Sequence, residues 1–216
     1  MKKLFFAFLI SIISFSGYSQ KLHLGLKFSP HFSWLKTDNP TIMVNDGVGF
    51  AFSYGLMINY YFQDNYGLNF ELCHSIIKFS SSYVDTSGNS IVSKWNQQYI
   101  EIPVNLKMQT NQIGNMVYYG KIGISPMINT AAKLNDINNQ DNINFFNAMV
   151  IVGAGIHYSL GGNTFAIGGI SFHNGLMRMN NKKDKIFDDV KIDPAAGLTN
   201  VILKPSYISV DMGILF

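Results

Sequence analysis

Apolar and polar residues alternate along most of this chain with a period of two. Between residues 21 and 34, Leu22, Leu24, Leu26, Phe28, Phe32 and Trp34 fall on one side, and Lys21, His23, Gly25, Lys27, Ser29, His31 and Ser33 on the other. Between 47 and 62 the even positions carry Val48, Phe50, Phe52, Tyr54, Leu56, Ile58, Tyr60 and Phe62, while the odd positions are mostly Gly, Ala, Ser and Asn. Successive side chains of a strand point to opposite faces, so both segments predict strands with one apolar face. They run longer than the usual five or six residues of a globular strand. A tilted strand needs about 9–11 residues to cross a bilayer, and these meet that length.

Six further strands are expected, over residues 67–82, 91–108, 116–130, 146–159, 163–176 and 198–216. The first of them sets Leu68, Phe70 and Leu72 outward and then loses phase at Ile76-Ile77, where the pattern predicts a bulge. Ile100, Ile102, Val104 and Leu106 continue the outward face of the next, and Pro103, which cannot donate to a ladder, predicts a bulge or break there. Short Gly/Asn-rich turns at 63–66, 109–114 and 160–162 alternate with longer polar connections at 35–46, 85–90, 131–145 and 177–197. Short turns at one end and long loops at the other fit an all-β protein: a single eight-stranded antiparallel up-and-down transmembrane β-barrel.

Composition sharpens this reading. Residues 1–19 read as a secretory signal peptide, with Lys2 and Lys3 ahead of an apolar run from Leu4 to Phe15 and small residues at Gly17 and Ser19. Residues 20–216 then form one barrel domain. Without Lys2 and Lys3 the net charge falls from +3 to +1, which leaves no electrostatic case for nucleic acid. Apolar residues make up 47% and charged ones 13%, against about 25% charged in soluble domains. Beyond the signal no apolar run is long enough for a membrane helix. High apolar content without such a run is what alternating membrane strands produce.

Charge supplies a check on the register. Lys27, Glu71, Glu101, Lys107, Lys121 and Asp211 all fall on the face opposite the apolar one. A lysine facing the middle of the lipid costs about 2–4 kcal/mol, so these six are expected inside, as an ionic network in a packed lumen. Eight strands leave an interior just wide enough for side chains to fill. A soluble barrel would invert this geometry; the signal peptide, the loop asymmetry and the chain end weigh against it. Tyr60, Tyr61, Phe62, Tyr66 and Phe216 cluster as a periplasmic aromatic girdle would. The last strand sets Ile208, Val210, Met212, Ile214 and Phe216 on one face, and resembles the closing strand that the outer-membrane assembly machinery reads, with Phe216 as the assembly signal.

One motif carries a specific resemblance. Tyr99-Ile100-Glu101-Ile102-Pro103-Val104-Asn105-Leu106-Lys107 resembles the Tyr-x-Glu-Ile-Pro-x-x-x-Lys signature of the PorT-like outer-membrane barrels of Bacteroidetes, which singles out Tyr99, Glu101, Pro103 and Lys107. Tyr118-Tyr119-Gly120-Lys121-Ile122-Gly123 and Val152-Gly153-Ala154-Gly155-Ile156 look like that family's glycine-rich strands. The resemblance covers essentially the whole chain after the signal and implies an outer-membrane location with an accessory role in envelope assembly or secretion.

Other chemistry is thin. The histidines at 23, 31, 74, 157 and 173 have no metal-ligand spacing, and Cys73 reads as a small buried residue. Phe172-His173-Asn174-Gly175 places glycine where the His-x-Ser of small lipid-modifying barrels has its nucleophile. No catalytic residue, metal or cofactor is expected. The reading is a non-enzymatic integral outer-membrane barrel with a structural or accessory role. A small-solute porin-like channel is the alternative, and a lipid-modifying enzyme the remote one. Its expected partners are outer-membrane lipid, the barrel assembly machinery and other envelope proteins.

Overall fold

A computed structural model describes residues 22–38, 43–84, 89–181 and 202–216. The signal peptide and most of the last long connection, including Lys182 to Lys185, lie outside the described residues. In chain order the strands are β1 (Leu22–Thr37), β2 (Met43–Gln63), β3 (Tyr66–Val84), β4 (Ser90–Glu101), β5 (Val104–Gln109), β6 (Met116–Leu134), β7 (Ile137–Asn138), β8 (Phe146–Gly161), β9 (Thr164–Gly175) and β10 (Leu203–Leu215). β4 and β5 are two parts of one crossing, and β7 only folds back on β6. The rest form an antiparallel ring of eight, each crossing paired to its chain neighbours and β1 paired to β10 from Gly25↔Leu215 to Thr37↔Leu203. Below that register, Leu24 and Phe216 exchange backbone hydrogen bonds of 3.2 and 2.7 Å. A closed ring has no unpaired edge, which is the condition for strands to cross lipid.

The alternation of the sequence becomes outside and inside. Leu24, Phe50, Leu72, Ile122, Val152 and Val210 are exposed on the outer surface. Ser29, Ser53, Glu71, Lys107, Lys121 and Asp211 are buried in the lumen. At the turn between β8 and β9, Gly161 and Gly162 have φ of 115° and 58°, values that a side chain would strain. Elsewhere glycine makes room for other side chains. A Cβ at Gly155 or Gly169 would lie 2.6–2.7 Å from the hydroxyl of Tyr119, whose ring lies against the wall there.

Two details differ from the sequence reading, and the break expected at Pro103 is present. β3 has no bulge at Ile76-Ile77: its pairing with β4 runs unbroken from Cys73↔Glu101 to Val84↔Ser90. Ile77 and Phe79 are inward and buried because the lumen near the long loops is itself apolar. Register shifts fall instead in β2, at Asp46, between Val48 and Ser53 and at Phe62, in β6 at Thr130 and in β8 at Leu160. At Pro103 the crossing is interrupted with register intact, since only the missing N–H is lost: Glu71 N donates to the Pro103 carbonyl and Ile102 N to that of Pro126. Finally, Tyr60, Phe62, Tyr66 and Phe216 are exposed at the short-turn end, whereas Tyr61, at an odd position, packs edge-on against His23 inside.

Candidate functional site

The lumen is the place where chemistry-bearing residues converge. At mid-height β1, β3, β6 and β10 each contribute one charge to a closed circuit. Lys27 Nζ is 2.8 Å from Glu71 Oε2 and 3.4 Å from Asp211 Oδ1. Lys121 Nζ is 2.9 Å from Asp211 Oδ2 and 3.7 Å from Glu71 Oε1. Ser29, Ser171 and Ser209 donate further hydrogen bonds to Asp211. Two cations and two anions cancel, and each ion touches two of opposite sign. Such geometry is what a buried ion pair needs to offset desolvation.

Glu101 and Lys107 stand outside this circuit. They are six residues apart on one crossing, roughly 20 Å at strand rise, and Glu71 lies between them, level with Pro103. No one circuit reaches both. Glu101 accepts from the hydroxyl of Tyr207 at 3.0 and 3.2 Å and from Ser125 at 3.4 Å. Lys107 Nζ sits 2.7 Å from His157 Nε2 and 3.9 Å over the Tyr119 ring. With Lys107 charged, Nε2 accepts and the imidazole carries its hydrogen on Nδ1. Tyr99, Glu101, Pro103 and Lys107 share the lumen face, as their odd numbering requires, but each meets a different layer.

Above the circuit is a layer that sequence reasoning missed. The Tyr207 ring is stacked between His31 and His173, with centroids 4.4 and 4.1 Å away. His31 Nε2 lies 2.9 Å from the Ile76 carbonyl, while neither ring nitrogen of His173 has a hydrogen-bond partner. Beyond it the barrel is closed by an apolar core that includes Phe79, Trp95, Tyr99, Met127, Met149 and Leu203. Two of its polar atoms are paired locally: Trp95 Nε1 donates to Ser81 at 2.9 Å and Tyr99 Oη to Gln97 at 2.5 Å. The available signal was their shared inward parity, together with the direct register of Tyr207 on His173.

Among the described residues, two open spaces adjoin these layers. A cavity of about 20 Å³ lies among the circuit, Lys107 and Tyr119. One of about 260 Å³ lies at the short-turn end, lined by His23, Tyr61, Gln109, His157 and Phe165 among others. No group of three or more His, Cys, Asp or Glu among the described residues is placed to hold a metal ion. His173 faces the lumen, buried, rather than the lipid, and Gly175 offers no hydroxyl beside it.

An antiparallel ring, apolar outside and ionic within, defines an integral outer-membrane β-barrel. The chain belongs to the outer membrane protein beta-barrel domain family, whose model matches residues 18–181. Two solved structures share the fold. Neisserial surface protein A is 10% identical, with a TM-score of 0.50 over 89% of this chain and 95% of its own. The outer membrane protein OprG from Pseudomonas aeruginosa is 13% identical, with a TM-score of 0.51 over 91% and 97%. No curated protein matches the chain.

Proposed function

We propose that this protein is a non-enzymatic, non-conducting outer-membrane barrel that serves the envelope through its loops and turns. The observation that carries the reading is the double closure of the lumen, by the Lys27–Glu71–Lys121–Asp211 circuit and by the apolar core around Tyr99 and Phe79. A conducting path needs continuous water, and Tyr207, hydrogen-bonded to Glu101 and stacked between His31 and His173, stands between the two layers. The motif from Tyr99 to Lys107 supports placing the chain with the PorT-like barrels, and with them an accessory role in assembly or secretion. Outer-membrane lipid, the barrel assembly machinery and neighbouring envelope proteins are its partners in this reading. In planar bilayers the folded protein gives no steady conductance. Reproducible large channels from the wild type would overturn this reading in favour of a small-solute pore.

A further inference from the structure

Among the described residues, the lysines of the outer surface all lie at one end, where Asp46 of β2, opposite Ser80 and Ser81, is also exposed. On β3 the outward residues from Tyr66 to Ile76 are apolar or aromatic, His74 among them. Lys78 follows at the height where a crossing of about 9–11 residues ends. Two more lysines project outward beside it, Lys94 of β4 and Lys133 of β6, and all three are exposed. The register fixes their neighbourhood. Asn96 of β4 is directly opposite Lys78 on one side and directly opposite Lys133 on the other. Lys94 lies two residues above Asn96 on the same face. With strands about 4.8 Å apart, the outer two lysines are separated by about 10 Å across the asparagine.

The ion pairs among the described residues all belong to the lumen circuit, so none of these three lysines has a carboxylate partner there. Asp136, the nearest acid in sequence to Lys133, stands at the turn between β6 and β7. Among the described residues, the outer face at the short-turn end carries no lysine or arginine. Short turns are periplasmic in outer-membrane barrels, so the cluster lies at the level of the outer leaflet. Lysine stems lie along apolar surface and lift their ammonium groups to headgroup level. Three like charges on adjacent strands repel one another unless an anion sits among them.

We propose that Lys78, Lys94 and Lys133, with Asn96 between them, form a binding site for the phosphorylated headgroup of an outer-leaflet lipid. The test is native mass spectrometry of the folded protein in detergent, titrated with bisphosphoryl lipid A. Wild type retains the lipid, and K78Q/K94Q/K133Q loses at least tenfold in affinity while keeping its barrel mobility on gels. K78R/K94R/K133R, which preserves the charges, retains binding. Several results would overturn the site. One is equal binding by the glutamine variant, and another is equal binding of lipid A stripped of its phosphates. A third is an equal loss in K36Q/K204Q, which alters paired lysines on β1 and β10 across the barrel and would reduce the effect to net charge. Displacement of the lipid by an equal concentration of inorganic phosphate would assign the site to a free anion instead.

Discussion

Tyr207 of β10 donates its phenolic hydrogen to the carboxylate of Glu101 on β4, at 3.0 Å to one oxygen and 3.2 Å to the other. Both residues are buried, and they bring the last crossing of the barrel against the fourth across its interior. The contact joins the ionic level of the lumen to the stacked rings and apolar core above it.

Removing the hydroxyl therefore weakens a buried acceptor rather than a surface contact. Tyr207→Phe is expected to cost about 1–3 kcal/mol, the usual penalty for an under-satisfied buried polar group. Urea unfolding of the detergent-folded protein measures it. Adding Glu101→Gln should recover part of the loss, because a neutral amide is less costly to leave there. An unchanged midpoint for Tyr207→Phe would show that the contact is not formed.

Asp211 should be more sensitive than Glu101. It faces both Lys27 and Lys121, so Asp211→Ala leaves two buried cations short of a partner, at about 3–5 kcal/mol. Glu101→Ala leaves the Tyr207 hydroxyl without its acceptor and no paired lysine, and is expected to cost about 1–3 kcal/mol. Equal destabilisation by the two variants in the same unfolding assay would contradict the separation of Glu101 from the circuit.

Closure of the ring predicts a gel phenotype. The unboiled protein should migrate faster in SDS than the boiled one, since a hydrogen-bonded ring stays compact until heated. Identical mobility from material shown by circular dichroism to be folded would count against a closed barrel.

Deleting Phe216 removes both backbone hydrogen bonds that pair it with Leu24 and an exposed aromatic at the short-turn end. Outer-membrane yield should fall, with aggregated chain accumulating in the periplasm. Cell fractionation and immunoblotting decide it, and a normal yield of folded protein would make Phe216 dispensable.

The wall was more legible than the filling. Period-two alternation in residues 21–34 and 47–62 located β1 and β2, and the parity of Lys27, Glu71, Lys121 and Asp211 placed them inside. What parity cannot supply is height. Strand tilt and shear decide which lumen residues meet, so Glu101 finding Tyr207 and Lys107 finding His157 were not readable from the chain. Ile77 misled for another reason. An apolar residue that turns inward breaks the pattern in the same way as a bulge, and the apolar core at the long-loop end contains several.

The seam between β1 and β10 has a consequence for the order of events during biogenesis. Lys27, Glu71 and Lys121 belong to strands made early, whereas Asp211 is supplied by the final one. Until that strand docks, the nascent interior holds two of these cations against one of these anions. Docking on β1 brings Asp211 against Lys27 and Ser29 of the first strand, while its bond from Ser171 belongs to the β9–β10 pair on the other side. Neutralisation and sealing are thus a single act, an electrostatic latch. A chain truncated before Asp211 would be left with an unbalanced interior as well as an open edge.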